Sequence, residues 1–370
     1  MKALLWNKDN GSFVFSDFPE PHITEPDEVK ARVISVGVCG TDREVFAQKG
    51  YLPPEGRHDL IIGHESLAEV VEVGADVKGL RTGDYVTFTV RRGCDRCIPC
   101  RTGRPDMCAT GGYKERGLDY MDGFSSEFVV DSQINCIKVP VELRNLGVLC
   151  EPLSAIEKAL QEIERAQERL PESITEVNWF QGRRCLILGL GTIGLLASVA
   201  LTLRGASVYG LDIVDESSSR PVWFKGIGGQ YINEKKTRLE NLTGLAGGNF
   251  GLIFQAAGVP DISLELLKTL GSNGAFVFFS AGGKGNISVA GGELIRNIID
   301  NNQTIIGAVS SSRAHFELAV RDLQASQLRW GRHMDGLITH CYHPSELGEV
   351  IKTHPPDEIK AVIDWSALRS

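Results

Sequence analysis

The chain has 370 residues, 42% hydrophobic and 23% charged, with a formal net charge of −8. That length exceeds one ordinary core and predicts two domains, while mild acidity with scattered lysines and arginines argues against nucleic acid as the main partner. The start, "MKALLWNKDNGSF", lacks the apolar core of a signal peptide, and no window suits a membrane span, so a cytoplasmic protein with reduced thiols is expected.

Residues 1 to about 150 read as strand-rich, with many glycine and proline turns. "EVKARVISVGVCG", "LAEVVEVGADV" and "GDYVTFTV" alternate β-branched residues with turn signals, as short strands do. At Glu151 the texture changes. Leu153, Ile156, Leu160 and Ile163 recur at helical spacing, and Pro171 stops the run. From Arg183 short buried strands alternate with helices: strand "RRCLILG", helix "TIGLLASVALTLRG", strand "ASVYGLD". The strands "FGLIFQAAG", "NGAFVFFSAGG" and "QTIIGAVS" follow, separated by helix-length segments such as "DISLELLKTL". This alternation predicts an α/β fold, a doubly wound parallel sheet of Rossmann type. The tail from about 310 is mixed in texture and ends in a strand-like "IKAVIDW", which is expected to return to the N-terminal domain.

Four of the nine cysteines, Cys94, Cys97, Cys100 and Cys108, lie in one loop as C-x2-C-x2-C-x7-C. Short spacers let a tight loop converge several thiolates on a tetrahedral zinc, and a closed four-sulfur site is structural. An iron–sulfur cluster would usually draw its fourth cysteine from elsewhere. A nucleic-acid zinc module would need histidines, a recognition helix and a basic surface that this sequence lacks.

A second group is dispersed. "GVCGTDRE" offers Cys39, with Thr41 and Asp42 close behind, "GHE" offers His64 and Glu65, and "LCEPLSAIEK" offers Glu151 at a helix start. Catalytic zinc takes about three protein ligands and keeps one open position, which Cys39, His64 and Glu151 would satisfy. Glu65 would be an exchangeable fourth ligand or would orient another. Each of these residues, taken singly, also reads as an ordinary core or turn residue.

"CLILGLGTIGLLA" carries Gly189, Gly191 and Gly194 as G-x-G-x-x-G between a strand and a helix, with Thr192 and Ile193 inside the motif. There the glycines admit a pyrophosphate to the helix N-terminus. Asp212 ends the next strand, where a carboxylate would hold the adenosine ribose hydroxyls. Asp215 and Glu216 add negative charge, with Arg220 the nearby base, so NAD is favoured over NADP.

With these residues in hand, the chain resembles a zinc-dependent medium-chain alcohol dehydrogenase, and within that family an archaeal-type glucose 1-dehydrogenase. The resemblance runs end to end through "GVCGTD", "GHE", the cysteine loop, "MDGFSSEFVV", "EPLSAIEK", "GLGTIG" and "NNQTIIGAVSSSRAHFELAV". It implies a GroES-like catalytic domain over residues 1–153, a Rossmann domain over 154–306, and a segment 307–370 returning to the first. It further implies two zincs per chain, a cleft between the domains, homodimers or homotetramers, and oxidation of an aldose at C1. By that likeness Cys39, His64, Glu65 and Glu151 hold the catalytic metal. Thr41, Glu115 and Glu151 meet sugar hydroxyls, and Thr41 relays the proton. "QAAG" (255–258) and "FSAGG" (279–283, including Ser280 and Ala281) wall the nicotinamide, with Val309 also in the cofactor site.

Two positions depart from the pattern: Ala155 replaces a sugar-binding aspartate and Ser310 an expected asparagine. Unpaired buried hydroxyls cost about 1–3 kcal/mol each, so the substrate becomes open while fold and reaction type stand. A polyol or cyclitol dehydrogenase has the same chemistry on a secondary alcohol. A ligand-binding relative without activity would have been expected to lose some of these ligands. His315, His340 and His343 read as surface or core histidines rather than cleft residues.

Overall fold

In the computed structural model, which describes residues 1–48, 50–171, 178–282 and 286–369, the strand Glu28–Val38 is the axis of the first of two compact units. That unit comprises Met1–Ser154, Ser310–Gln327 and Met334–Ser370. Eight of the eleven residues in the axial strand are buried, as expected of a strand covered on both faces. It pairs antiparallel with Glu65–Val73 on one side and with Lys360–Asp364 on the other. Register shifts near Lys30 and Val33 bend this ribbon, and bulges of that kind re-aim the side chains that follow. The seven-stranded sheet continues to Tyr85–Phe88 and Cys136–Val139 at one edge and to Ile338–Tyr342 at the other. Its core gathers Trp6, Tyr51, Phe88, Phe124 and Trp365 among aliphatic side chains.

The second unit comprises Ala155–Val309 and Leu328–His333. Its six strands are all parallel, in the spatial order 230–233, 207–212, 184–188, 250–255, 270–278, 304–307. The order reverses between Arg184–Leu188 and Phe250–Gln255, and ligands of such sheets bind outside the carboxyl ends of the strands at that switch point. Leu186, Phe250, Ile253 and Phe276 anchor its core.

The helix expected from Glu151 runs Cys150–Gln167, with Leu153, Ile156, Leu160 and Ile163 fully buried. "DISLELLKTL" is α-helical only over Pro260–Leu266. It tightens to a 3-10 turn at Leu267–Thr269 and runs directly into the next strand at Leu270. The mixed tail holds an 18-residue helix, Arg313–Trp330, that the sequence pattern did not show. Its buried residues include His315, Asp322 and Ser326, which blurs the apolar periodicity. Among the described residues no helix is long and apolar enough to cross a membrane.

Candidate active site and metal centres

Strand pairing in the first unit brings three distant segments together. Cys39 follows the axial strand, Glu65 opens its neighbour with His64 just before it, and Lys360 opens the strand on the other side. Donor atoms of Cys39, His64 and Glu65 all lie within 4.8 Å of one another. Glu65 is fully buried and forms an ion pair with Lys360, whose Nζ also donates to the Val38 carbonyl at 3.0 Å. A Cβ at Gly37 would sit 2.0 Å from Glu65 Oε2, so only glycine leaves room for that carboxylate.

Asp42, in the first turn of the helix Gly40–Gln48, organises the cluster. Its Oδ2 accepts from the Cys39 N–H at 3.0 Å and its Oδ1 lies 3.3 Å from His64 Nδ1. Tyr51 donates its hydroxyl to the Asp42 carbonyl at 2.8 Å, fixing the helix start. A carboxylate on one ring nitrogen orients the imidazole and leaves the other nitrogen for a metal. Burial pulls the His64 pKa down, but Asp42 and then Cys39 outweigh it and hold it well above the ordinary value. The pocket therefore stabilises positive charge beside a thiol, an imidazole and a carboxylate, and Glu65 Oε1 has no hydrogen-bond partner among the described residues. This donor set fits a divalent zinc.

Glu151 stands outside that tight group. Burial pushes its carboxyl up to about 7; His64 opposes the shift and Glu65 adds to it, which puts Glu151 within electrostatic reach of the cluster. Glu115 is held by Arg91, whose Nε donates to Oε1 at 2.9 Å while its guanidinium stacks on the Tyr113 ring. Thr41 is exposed in the first turn of its helix. His315 is buried and accepts from the Ser312 N–H, whereas His340 and His343 meet Thr339 and Ser345.

The sulfurs of Cys94, Cys97, Cys100 and Cys108 converge within the same 4.8 Å limit. Cys94 and Cys100 Sγ are 3.9 Å apart, close to the edge of about 3.8 Å of a tetrahedron with 2.3 Å zinc–sulfur bonds. Thr110 holds down the pKa of two of these thiols. Its hydrogen bond, helped by the Cys97 and Arg96 N–H groups, lowers Cys94 to about 5, and it lowers Cys108 as well. Burial pushes Cys100 up to about 12. Thiolate is the form that binds metal, and a bound cation would offset the rise at Cys100, so the four converging sulfurs, two of them held toward thiolate, fit zinc.

In the second unit, Gly189 and Gly191 follow the strand Arg184–Leu188, and Thr192, Ile193 and Gly194 form the first turn of the helix Thr192–Leu203. Asp212 closes the adjacent strand. Its Oδ2 accepts from the Leu190 N–H at 2.7 Å and its Oδ1 from Ile213 N–H at 2.6 Å, with Arg220 Nη1 3.7 Å away. Ser280 and Ala281 follow the strand Leu270–Phe278, and Val309 follows Thr304–Gly307 with its carbonyl accepting from Lys158 Nζ at 2.8 Å. Gly283, the last residue of "FSAGG", lies outside the described residues. The spacing did not point to Asp42's role, Lys360, Arg91, Thr110 or Lys158. Of these, only Asp42, three residues from Cys39, and Thr110, two residues from Cys108, sit near enough in sequence to a partner for a local signal.

Residues 25–141 match the alcohol dehydrogenase GroES-like domain family, and residues 144–365 match the family described as glucose dehydrogenase C-terminus. This chain belongs to the glucose dehydrogenase family. Glucose 1-dehydrogenase of Methanocella arvoryzae is 33% identical over 97% of both chains, and that of Metallosphaera sedula 32% identical over the full length of both. Among solved structures, Haloferax mediterranei glucose dehydrogenase in complex with NADP, Zn and gluconolactone superposes with a TM-score of 0.86 at 27% identity, covering 99% of each chain. Galactitol-1-phosphate dehydrogenase from Escherichia coli, 22% identical with a TM-score of 0.80 over 98% of this chain and 100% of that one, shares the fold. The resemblance read from the motifs is thereby borne out. The glucose dehydrogenase family member described here is an oxidoreductase with a GroES-like unit and a Rossmann sheet.

Proposed function

We propose that the protein oxidises a sugar hydroxyl, at C1 of an aldose, with NAD as hydride acceptor and two zincs per chain. The observation that carries this reading is the convergence of Cys39, His64 and Glu65 in a chain whose curated relatives are glucose 1-dehydrogenases. Zinc, when bound, supplies Lewis acidity that lowers the pKa of a substrate hydroxyl, and nicotinamide supplies the hydride acceptor. Cys39 and His64 hold the metal, with Glu65 and Glu151 as the carboxylates able to complete or exchange in its shell. Lys360 pairs with Glu65, so that carboxylate would keep a partner whether or not it held the metal.

Thr41 carries the hydroxyl proton outward. Glu115, fixed by Arg91, accepts from sugar hydroxyls, and Glu151 accepts beside it. The four-cysteine loop holds the structural zinc. Asp212 receives the adenosine ribose hydroxyls, and Asp215 and Glu216, although paired with Lys236 and Lys225, add carboxylates on the side where a 2′-phosphate would sit, which favours NAD. Assembly into homodimers or homotetramers is supported by the helix Gly291–Asp300, which buries none of its residues and exposes Ile295 and Ile299.

Ala155, unable to hydrogen-bond a sugar hydroxyl, favours a second reading: a polyol or cyclitol oxidised at a secondary alcohol. Cofactor reduction by the zinc-replete protein, with NAD and NADP in parallel against glucose, galactose, xylose, sorbitol and inositol, decides between them. Turnover of an aldose with NAD is the expected result. Turnover of polyols or cyclitols alone would overturn the aldose reading in favour of the second, and silence on every substrate would overturn both.

A further inference from the structure

At the carboxyl edge of the parallel sheet, the Gln255 side chain is 2% exposed and fully engaged with backbone. Its Oε1 accepts from the N–H groups of Phe279 at 3.0 Å and Ser280 at 2.9 Å. Its Nε2 donates to the carbonyls of Ala257 at 2.6 Å and Ser280 at 2.9 Å. One amide therefore joins the turn that follows its own strand to the turn that follows the neighbouring strand. Those turns are in contact: a Cβ at Gly258 would stand 2.7 Å from the Ala281 carbonyl oxygen. Asp212 ends a strand on the far side of Arg184–Leu188, away from this junction.

A carboxamide is suited to this place because it donates and accepts on one planar group. An ionised carboxylate only accepts, and a thioether does neither with strength. Buried carbonyls left without a donor are costly, and the backbone moves to recover one.

We propose that Gln255 is the positioning residue for the nicotinamide half of the cofactor: it fixes the paths of residues 256–258 and 279–282, against which the ring is oriented. The adenosine half, at Asp212, is independent of it. The inference rests on the NAD-dependent reading above and goes beyond it by assigning the orientation of the ring to one buried amide.

The test is calorimetric titration of the purified, zinc-loaded protein with NADH and, separately, with ADP-ribose, which lacks the nicotinamide. Gln255→Glu keeps the shape and loses the donors, and Gln255→Met loses both functions. Both variants are expected to bind ADP-ribose within about two-fold of the unmodified protein and NADH about ten-fold more weakly. The fluorescence change of bound NADH should diminish in parallel. If the methionine variant fails to fold, Gln255→Glu carries the comparison, with its melting curve as the check on folding. Equal weakening of both ligands would overturn the proposal in favour of a general role in the sheet, and unchanged binding of both would overturn it outright. An unmodified protein that binds neither ligand would overturn the cofactor reading itself and the inference with it.

Discussion

The four-cysteine loop and the Cys39 cluster both gather sulfur, yet they are assembled in opposite ways. The loop takes every donor from the stretch between Cys94 and Cys108, with Thr110 just beyond it to hold two thiols toward thiolate. The Cys39 cluster has no local existence. Its members meet only because the axial strand pairs with Glu65–Val73 and with Lys360–Asp364. A site closed by neighbouring residues contributes to folding when its metal binds. One that depends on completed sheet pairing is a product of folding and is left with an open position for chemistry. Loss of metal from the first should cost stability, and from the second activity.

The sharpest way to break this contrast is Cys39→Ser. Turnover should fall at least about a thousand-fold, while the far-ultraviolet spectrum and melting temperature stay close to those of the unmodified protein. A large fall in melting temperature would merge the two sites into one structural role. Next comes Cys100→Ser. Losing a closed four-sulfur site should destabilise by about 3 kcal/mol or more, about 10 °C in melting temperature, with kcat retained in the protein still folded. Asp42→Asn should weaken zinc at the Cys39 cluster by about 10- to 100-fold and be rescued by added zinc; activity at low zinc, compared with saturating zinc, measures this. The smallest effect is expected from Glu115→Gln. KM for the preferred sugar should rise by about ten-fold with kcat little changed, and a matched fall in kcat instead would place Glu115 in the chemical step.

The contrast also explains what could be read from the amino-acid sequence. The cysteine loop was legible because its spacing is its geometry, and the G-x-G-x-x-G turn because strand, turn and helix are consecutive. Cys39, His64 and Glu65 were legible one by one as candidate ligands from their residue types, but only the family resemblance joined them into one site, since no spacing links residues joined by sheet pairing. Asp42 stood beside Cys39 in sequence, but its contact with His64 exists only in three dimensions. Lys360 closes the same site from near the end of the chain, and a lysine in a strand-like tail gives no hint of burial beside Glu65. Arg91 is hidden for a different reason, lying among several arginines of which only its pairing with Glu115 distinguishes it. The helix Arg313–Trp330 escaped because polar residues occupy part of its buried face.

The measurement that bears most directly on the proposed pair of differently built zinc sites is the zinc content per chain of the purified protein, compared with Cys39→Ser and Cys100→Ser. Two zincs per chain should be found, falling to one in each variant. The zinc left in Cys39→Ser should resist a chelator that strips the active protein of its turnover. A single zinc in the unmodified protein, or the loss of both ions in Cys39→Ser, would contradict the account.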